Sequence, residues 1–513
     1  MKNQTFESVP LLRIVISLMV GIVVGEYVAI ALPIWPLFIV LLVVTLFLWK
    51  FPLLQSVAIT LCFLVLGYVL MQRQKTNFLV EWSGHEVCYE AVVLSEPVEK
   101  PKTMAVDILL PANHRKLKCY LYKDDRSRGL RVGDGLKIQS CIKANSEWRI
   151  GTFDYRRYLE VHGFTGLTFV SSWKWQKAQL SLSDLSYLER TRLFFLKLRS
   201  RLLQRLSTTA EANSSLFTLH SSLSEATSVV AAMVLGDKSA LTKDLKDTYS
   251  ITGASHVLAL SGLHLGIIYT LIVLLTTGRR SFFTLHSSLF TIICIWAFVF
   301  LVGLSTSVVR SALMLTTYAL MSLGHRDRMS VNTLAFTAIV LLMINPLSLF
   351  DVGFQMSFMA VFAILVFLPL FESVFSPQYL MDHRLLKWVW SMLSISFAAQ
   401  LGVAPLIAYY FGRFSTYFLL TNFIVIPAAT LILWLSLLVL IIPSFVYLLL
   451  YIVGLLNAVL TKMATLPGAS IDGLHPSIIQ VAMMYVIIAS CYLLVIFLQK
   501  IYITYSRANG GCR

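Results

Sequence analysis

The sequence predicts a polytopic α-helical membrane protein of about twelve spans, some of them broken or short, with one extracytoplasmic β-domain. Hydrophobic residues make up 57% of the 513 residues, and charged residues only 13%, about half the share in an ordinary soluble domain. Apolar runs of helical length recur along the chain. The segment 73–180 is instead charged and alternates apolar with polar residues, as short strands do.

The first predicted domain, 1–72, holds three apolar runs at 11–32, 35–49 and 53–72. The second run is short for a bilayer that takes about 20 helical residues to cross, so we expect it to form a tilted hairpin with the first. No short apolar core followed by a cleavage site is present in the first run. We therefore expect this run to be retained as a membrane span.

The second predicted domain is the β-domain, 73–180. The stretches 90–94, 118–122 and 136–139 alternate apolar and polar residues, and a Gly-Asp-Gly turn precedes the last of them. This pattern predicts a small barrel or sandwich. The cysteines of this segment lack the spacing of metal ligands, so we expect no metal and no cofactor, and one disulfide among them stays open. These cysteines are Cys88, Cys119 and Cys141.

An amphipathic helix and a linker are predicted for 181–228. Cationic residues recur at helical spacing on one face, and leucines fill the other. Such a helix either anchors the β-domain at the membrane interface, which we favour, or serves as a rail for a polyanion. The cations are Arg190, Lys197, Arg201 and Arg205.

The remaining spans are predicted within 229–500, before a cytoplasmic tail at 501–513. Basic loops at 279–280, 325–328 and 383–387 place both termini inside and the β-domain outside, as expected for a cytoplasmic membrane protein. The formal net charge of +16 suits these loops, anionic lipid or a polyanionic substrate. The predicted spans are 253–276, 284–303, 308–323, 329–345, 350–371, 388–411, 415–442, 444–466 and 477–499.

Polar residues interrupt the first of these spans. His256, Ser261 and His264 lie there together with Gly262 and Gly266. The two histidines are eight residues apart, so an unbroken helix would carry both on one face. Ionisable side chains at membrane depth mark a functional interior by default, although the glycines also fit a tight helix contact with polar groups as glue.

Further polar residues occur in later spans. Arg310 is an isolated cation near the start of a span, where it needs a carboxylate, backbone carbonyls or a phosphate unless it extends to the interface. Asp351 precedes a span and either caps that helix or pairs with Arg310. Gln355 and Ser357 follow it. Gln400 and Asn422 suit interhelical hydrogen bonds or pore lining equally well.

These clusters, in this order and after a β-domain, resemble the ComEC family of competence proteins. The run 253–264 is similar to the family's signature, and the segments 232–237, 310–314, 345–358 and 422–427 also match its pattern. The run 151–159 resembles the segment with which the chain leaves the OB-fold domain in that family. The resemblance extends over about 10–500 and implies an OB-fold-like domain at 73–180 and a competence-type channel domain at 229–500.

The resemblance implies an inner-membrane channel, not an enzyme, that translocates single-stranded DNA into the cytoplasm during natural transformation. It also implies DNA receptor and motor proteins as partners, and no Walker A run supplies a motor within this sequence. Many members carry a C-terminal metallo-β-lactamase-like domain. No His-x-His-x-Asp-His run occurs before Arg513, so we expect a form without that domain. Either a separate nuclease then degrades the second strand, or that step is not needed. The oligomeric state stays open.

A wet path with weak, multiple polar contacts suits a strand that must also leave. We expect the channel to be lined by His256, Ser261, His264, Arg310, Asp351, Gln355, Ser357, Gln400 and Asn422. We expect DNA contacts at Lys116, Lys118, Tyr120, Tyr122, Arg126, Arg128, Arg131, Arg156, Arg157 and Arg201, with Trp148 and Trp173 as further stacking candidates. The aromatic residues also fit a hydrophobic core.

Two other classes of function stay open at this point. One is an intramembrane hydrolase that uses Ser261 with His256 or His264, because a serine and a histidine three residues apart can form a nucleophile–base pair. The other is a small-solute transporter, against which the large external β-domain argues.

Overall fold

The computed structural model describes residues 9–28, 35–78, 82–145, 149–150, 153–179, 185–212, 220–276, 285–322 and 331–509. It is mostly helical, with a separate β-sheet region. The chain divides into two compact units. Unit 1 comprises Met1–Leu241, Ala259–Phe354 and Ile432–Tyr451, and unit 2 comprises Thr242–Leu258, Gln355–Leu431 and Ile452–Arg513.

The N-terminal helices are α1 (Pro10–Tyr27), α2 (Trp35–Phe47) and α3 (Pro52–Phe78). The closest contact joins α1 to α3, because glycines let their backbones approach. A Cβ atom built on Gly21 would lie 2.0 Å from the carbonyl oxygen of Leu64. Helix α2 packs on α3 and buries none of its residues. The hairpin expected of the first two runs stays a prediction.

The β-region holds the strands that alternation predicted. Its large sheet has the order β10-β5-β1-β3-β4-β9-β6, with β2 paired to β3, and β4 and β9 run parallel. A second, two-stranded sheet joins β7 to β8. The strands are β1 (Val87–Val93), β2 (Val98–Glu99), β3 (Thr103–Leu110), β4 (Arg115–Tyr122), β5 (Gly135–Ser140), β6 (Ile142–Ala144), β7 (Arg149–Ile150), β8 (Phe153–Asp154), β9 (Phe164–Val170) and β10 (Trp175–Ala178).

The core of the β-region follows from the two-residue period of its strands. In β4 the side chains of Leu117, Cys119 and Leu121 are fully buried, whereas those between them face outward. Two short helices accompany the strands, α4 (Asp125–Arg128) and α5 (Tyr155–Val161). The three cysteines of this region are free thiols.

The predicted amphipathic helix is α6 (Tyr187–Ala212). Part of its leucine face packs on the β-region, because Leu193 and Leu196 share a buried cluster with Val92 and Leu109. Two further helices follow, α7 (His220–Val230), which continues into a π-helical turn, and α8 (Lys243–Ile251).

The rest of the chain is helical apart from one small sheet of β11 with β12. These elements are α9 (Ser255–Leu258), α10 (Gly262–Thr276), α11 (Leu285–Leu301), α12 (Thr306–Ser322), α13 (Val331–Ile344), α14 (Val352–Glu372), α15 (Pro377–Asp382), α16 (Arg384–Phe411), β11 (Arg413–Ser415), α17 (Phe418–Ile441), α18 (Val446–Ala464), β12 (Ser470–Asp472) and α19 (Ile478–Asn509).

Among the described residues, seven helices are long and apolar enough to cross a membrane. The other helices at predicted spans, α2, α10, α11, α12 and α13, have between 13 and 17 residues. The basic loops 279–280 and 325–328 lie outside the described residues. The seven helices are Pro10–Tyr27, Pro52–Phe78, Val352–Glu372, Arg384–Phe411, Phe418–Ile441, Pro443–Ala464 and Ile478–Ile501.

Candidate functional site

The segment around Ser261 is the start of a helix and not the middle of one. Helix α9 ends at Leu258 and α10 begins at Gly262. The backbone N–H of Ser261 donates to Nδ1 of His264 at 3.3 Å, which satisfies a donor before the helix in the manner of a capping box. His264 is fully buried. His256 and His264 therefore lie on two different helices, and the shared face that an unbroken helix would provide is not formed.

Helix α12 supports this break. A Cβ atom on Gly262 would lie 2.8 Å from Oγ of Ser311, so only glycine permits this approach without a shift. Ser307 Oγ donates to the carbonyl oxygen of Leu260 at 2.6 Å. Backbone groups freed by a break need partners when they lie away from water. The two serines lie one helical turn apart on α12 and flank Arg310.

Arg310 is only 4% exposed and forms an ion pair with Asp351. The distance from Nη1 to Oδ2 is 3.3 Å, and the same carboxylate oxygen accepts the backbone N–H of Phe354 at 3.2 Å. Both roles expected of Asp351, capping α14 and pairing with Arg310, are thus confirmed. Within the described residues, Nε of Arg310 is buried without a hydrogen-bond partner, so the guanidinium retains a donor.

The contact between a serine and a histidine that a hydrolase requires is present, but here it belongs to a helix cap. Ser261 Oγ lies 3.1 Å from Nδ1 of His264, and this nitrogen also accepts the backbone N–H of Ser261. A neutral imidazole has one acceptor nitrogen, so the cap occupies the lone pair that a general base would use. His256 lies in unit 2, where its Nδ1 is 3.0 Å from the carbonyl oxygen of Gly253.

The other predicted lining residues lie in unit 2. Gln355, on α14, accepts a hydrogen bond from the hydroxyl of Tyr410, on α16, at 2.7 Å. The side chains of Ser357, Gln400 and Asn422 are half-buried. Oδ1 of Asn422 is buried and has no hydrogen-bond partner among the described residues. Helices α16 and α17 contain the internal prolines Pro405 and Pro427.

Sequence analysis missed a buried polar pair in unit 2. The Tyr249 hydroxyl, on α8, donates to Oδ1 of Asn457, on α18, at 2.7 Å. An asparagine inside an otherwise apolar run was the available signal, because such a group requires a partner.

Most cations expected to contact DNA form ion pairs. Lysine or arginine nitrogens lie between 2.5 and 4.0 Å from carboxylate oxygens in five of them. Burial, followed by the charge of Arg192, lowers the pKa of Lys116 to about 8. Arg131 and Arg201 are exposed. The pairs are Lys118–Asp107, Arg126–Asp124, Arg128–Asp125, Arg156–Glu160 and Arg157–Glu26.

Arg157 anchors the β-region to the apolar helices of unit 1. Its Nη2 lies 2.5 Å from Oε1 of Glu26, on α1, and its guanidinium lies 4.5 Å from the ring centre of Phe350. Nδ2 of Asn345 donates to the carbonyl oxygen of Val161 nearby, at 3.2 Å. The Arg157 side chain is therefore engaged in contacts within the protein, between the β-region and the apolar helices of unit 1.

The predicted stacking residues are placed differently from one another. Tyr120 is half-buried and stacks on Phe169, with ring centres 5.0 Å apart and an interplanar angle of 15°. Tyr122 and Trp173 are exposed. Trp148 lies outside the described residues.

The fold and these sites define a multi-pass membrane protein with a buried ion pair and a broken helix in its apolar part. A family model described as "Competence protein" matches residues 233–498, just over half of the chain. The chain belongs to the competence protein family.

One relative is ComE operon protein 3 of Bacillus subtilis (strain 168), 27% identical over 288 residues. The match covers 55% of this chain and 32% of that relative, so the chain spans about a third of the relative's length. No solved structure matches the chain. The region matched by the family model contains Ser261, His264, Arg310 and Asp351.

Proposed function

We propose that this protein is an inner-membrane channel that passes single-stranded DNA into the cytoplasm during natural transformation. Membership in the competence family and similarity to ComE operon protein 3 support a role in this process. The buried Arg310–Asp351 pair beside the helix break carries the proposal, because it puts charged and polar groups inside the family-matched apolar region.

The physical argument begins with the cost of moving an anionic strand through hydrocarbon. Taking ions out of water costs several kcal/mol each even after relaxation, so bare passage is excluded and a wet path lined by donors is required. Broken helices are tolerated at membrane depth where they are buried in protein or line a cavity. Arg310 retains a buried N–H donor, which suits transient contact with a phosphate or its water.

The proposal includes the finer arrangement expected from the sequence. We place the β-region outside the membrane as an OB-fold-like domain and count the five shorter helices among about twelve spans, with tilt or pairing compensating for their length. DNA receptor and motor proteins would deliver the strand. The protein itself acts as a channel and not as an enzyme.

The test uses a naturally transformable bacterium whose own competence channel gene has been deleted. We expect the full chain, expressed from a gene inserted into the chromosome, to restore entry of fluorescently labelled DNA into the cytoplasm and the recovery of transformants. The matched control is the same strain with the Arg310→Ala variant, whose amount in the membrane is measured alongside.

Wild-type protein that is present in the membrane and leaves DNA outside the cytoplasm would contradict the proposal. Entry of DNA that does not depend on the gene would contradict it as well.

A further inference from the structure

A row of aromatic rings runs over the outward face of the β-region and onto α5. Tyr120 and Phe169 are register partners on the parallel strands β4 and β9, and their rings stack. On α5, Tyr155 and Tyr158 stack with centres 5.9 Å apart and an interplanar angle of 15°. The Tyr120 and Tyr155 hydroxyls are 2.8 Å apart and join the two stacks. We call these four residues the aromatic row.

The row has a buried base and accessible outer rings. Tyr120 and Tyr155 pack against a core cluster that includes Leu159, which fixes their position. Phe169 and Tyr158 are 42% and 41% exposed, and the His162 ring lies 4.3 Å from that of Tyr158, tilted by 37°. Rings that are held in place and still open to solvent can bind a flat partner without losing much conformational freedom.

Charges around the row are largely neutralised within the protein. Lys118 pairs with Asp107 at 2.5 Å, and Arg156 pairs with Glu160 at 2.8 Å. A ligand held here is therefore recognised mainly through its flat apolar faces and less through its charge. Single-stranded nucleic acid offers such faces in series, whereas the bases of a duplex are already stacked on each other.

The row leads towards the buried ion pair. Nδ2 of Asn345, in the segment that leads to Asp351, donates to the carbonyl oxygen of Val161 on α5 at 3.2 Å. The neighbouring Arg157 covers the ring of Phe350, the residue directly before Asp351. One end of the row is thus next to the segment that carries Asp351, and the other lies on the sheet.

We propose that Phe169 and Tyr158 stack on bases of single-stranded nucleic acid, so that the aromatic row guides the strand from the β-region towards the Arg310–Asp351 pair. This inference rests on the proposed function, because it names the surface by which the substrate approaches. Stacking of bases on aromatic rings tolerates any sequence, as a channel for any DNA requires.

The test uses the full chain in phosphatidylcholine nanodiscs and fluorescence anisotropy. The probes are a thymidine oligonucleotide of about 20 nucleotides and an abasic oligonucleotide of the same length and charge. We expect the abasic probe, which lacks the bases for both stacking contacts, to bind about a hundredfold more weakly. Tyr158→Ala and Phe169→Ala should each weaken thymidine binding by about tenfold and leave abasic binding unchanged, whereas Tyr158→Trp should retain it.

Tyr187→Ala is the matched control, because Tyr187 is 87% exposed at the start of α6 and outside the row. We expect wild-type affinity for that variant. An oligonucleotide with iodouracil should, after irradiation, cross-link to peptides that contain Tyr158 or Phe169.

Equal binding of both probes, or wild-type binding by both alanine variants, would overturn the inference. The second result is also the one expected if these rings rest on lipid headgroups. Neither result touches the proposed function, which depends on DNA entry into cells. Conversely, failure of DNA entry together with base-dependent binding in nanodiscs would overturn the proposed function alone.

Discussion

Ion pairs in the β-region and in the apolar helices of unit 1 differ in how much of their side chains is exposed to solvent. Arg126 and Arg128 in the β-region are largely exposed in their pairs, whereas Arg310 is buried and the Asp351 side chain is 16% exposed. Exposed pairs contribute about 0–1 kcal/mol, but removing one partner of a buried pair costs about 3–5 kcal/mol. The cations therefore cannot be ranked by charge alone. Burial makes Arg310 the position at which substitution should matter most.

The strongest test of this comparison is Arg310→Ala. The variant leaves Asp351 in a buried site without its cation, so we expect a loss of about 3–5 kcal/mol in unfolding free energy and a loss of DNA entry by at least about tenfold. Thermal unfolding in detergent and the DNA-entry assay measure the two effects.

Arg413→Ala is the control, because Arg413 forms a more exposed pair with Asp472 in unit 2. We expect a change of at most about 1 kcal/mol there. Equal losses for the two variants would show that burial does not separate them.

Packing at the helix break gives the next largest effect. Gly262→Ala brings a Cβ atom to 2.8 Å from Oγ of Ser311, and overpacking of this kind costs about 1–3 kcal/mol. Ser311→Gly should recover much of the loss, which a double-mutant cycle of unfolding free energies measures.

Gly266→Ala is the matched control on the same helix. No heavy atom lies within 4 Å of a Cβ built there, and alanine favours a helix by about 0.5–1 kcal/mol over glycine. Destabilisation by Gly266→Ala as large as that by Gly262→Ala would argue against a close contact of α10 with α12.

The sequence predicted what depends on local patterns. Alternation located β1, β4 and β5, apolar runs located the helices, and the capping and pairing roles of Asp351 followed from its place before a span. Apart from the Arg310–Asp351 pair, it did not predict contacts between distant positions. Arg157 and Glu26 are 131 residues apart, and Tyr249 and Asn457 are 208 apart, so no periodicity connects either pair.

The helix break was missed for a different reason. Apolar periodicity continues through 256–266, so hydrophobicity predicts one span. What ends α9 and starts α10 is the bond from the Ser261 backbone to His264 and the support from Ser307. The same residues had been interpreted as groups facing a channel, although a histidine at the third helical position also fits a cap.

Neighbouring arginines on α5 sharpen the comparison at smaller energies. Arg157 is partly buried against Glu26 and Phe350, whereas Arg156 pairs with Glu160 on the same helix. We expect Arg157→Ala to cost about 1 kcal/mol and to increase hydrogen exchange in α5, because it loosens the β-region from α1. Arg156→Ala should cost at most about 0.5 kcal/mol. Identical exchange in both variants would count against the anchor.

An effect as small as that of Arg156→Ala should come from Ser261→Ala. The substitution removes the hydroxyl 3.1 Å from His264 Nδ1, but the backbone N–H of residue 261 still donates to that nitrogen. No buried acceptor is left unsatisfied, so we expect a cost of about 0.5 kcal/mol and DNA entry within about threefold of wild type.

A hydrolase that used this hydroxyl as its nucleophile would instead lose activity by orders of magnitude. A collapse of DNA entry in Ser261→Ala with normal protein levels would therefore restore the catalytic interpretation. The magnitude of each effect thus depends on which group loses its partner, and burial matters because it removes water as a substitute.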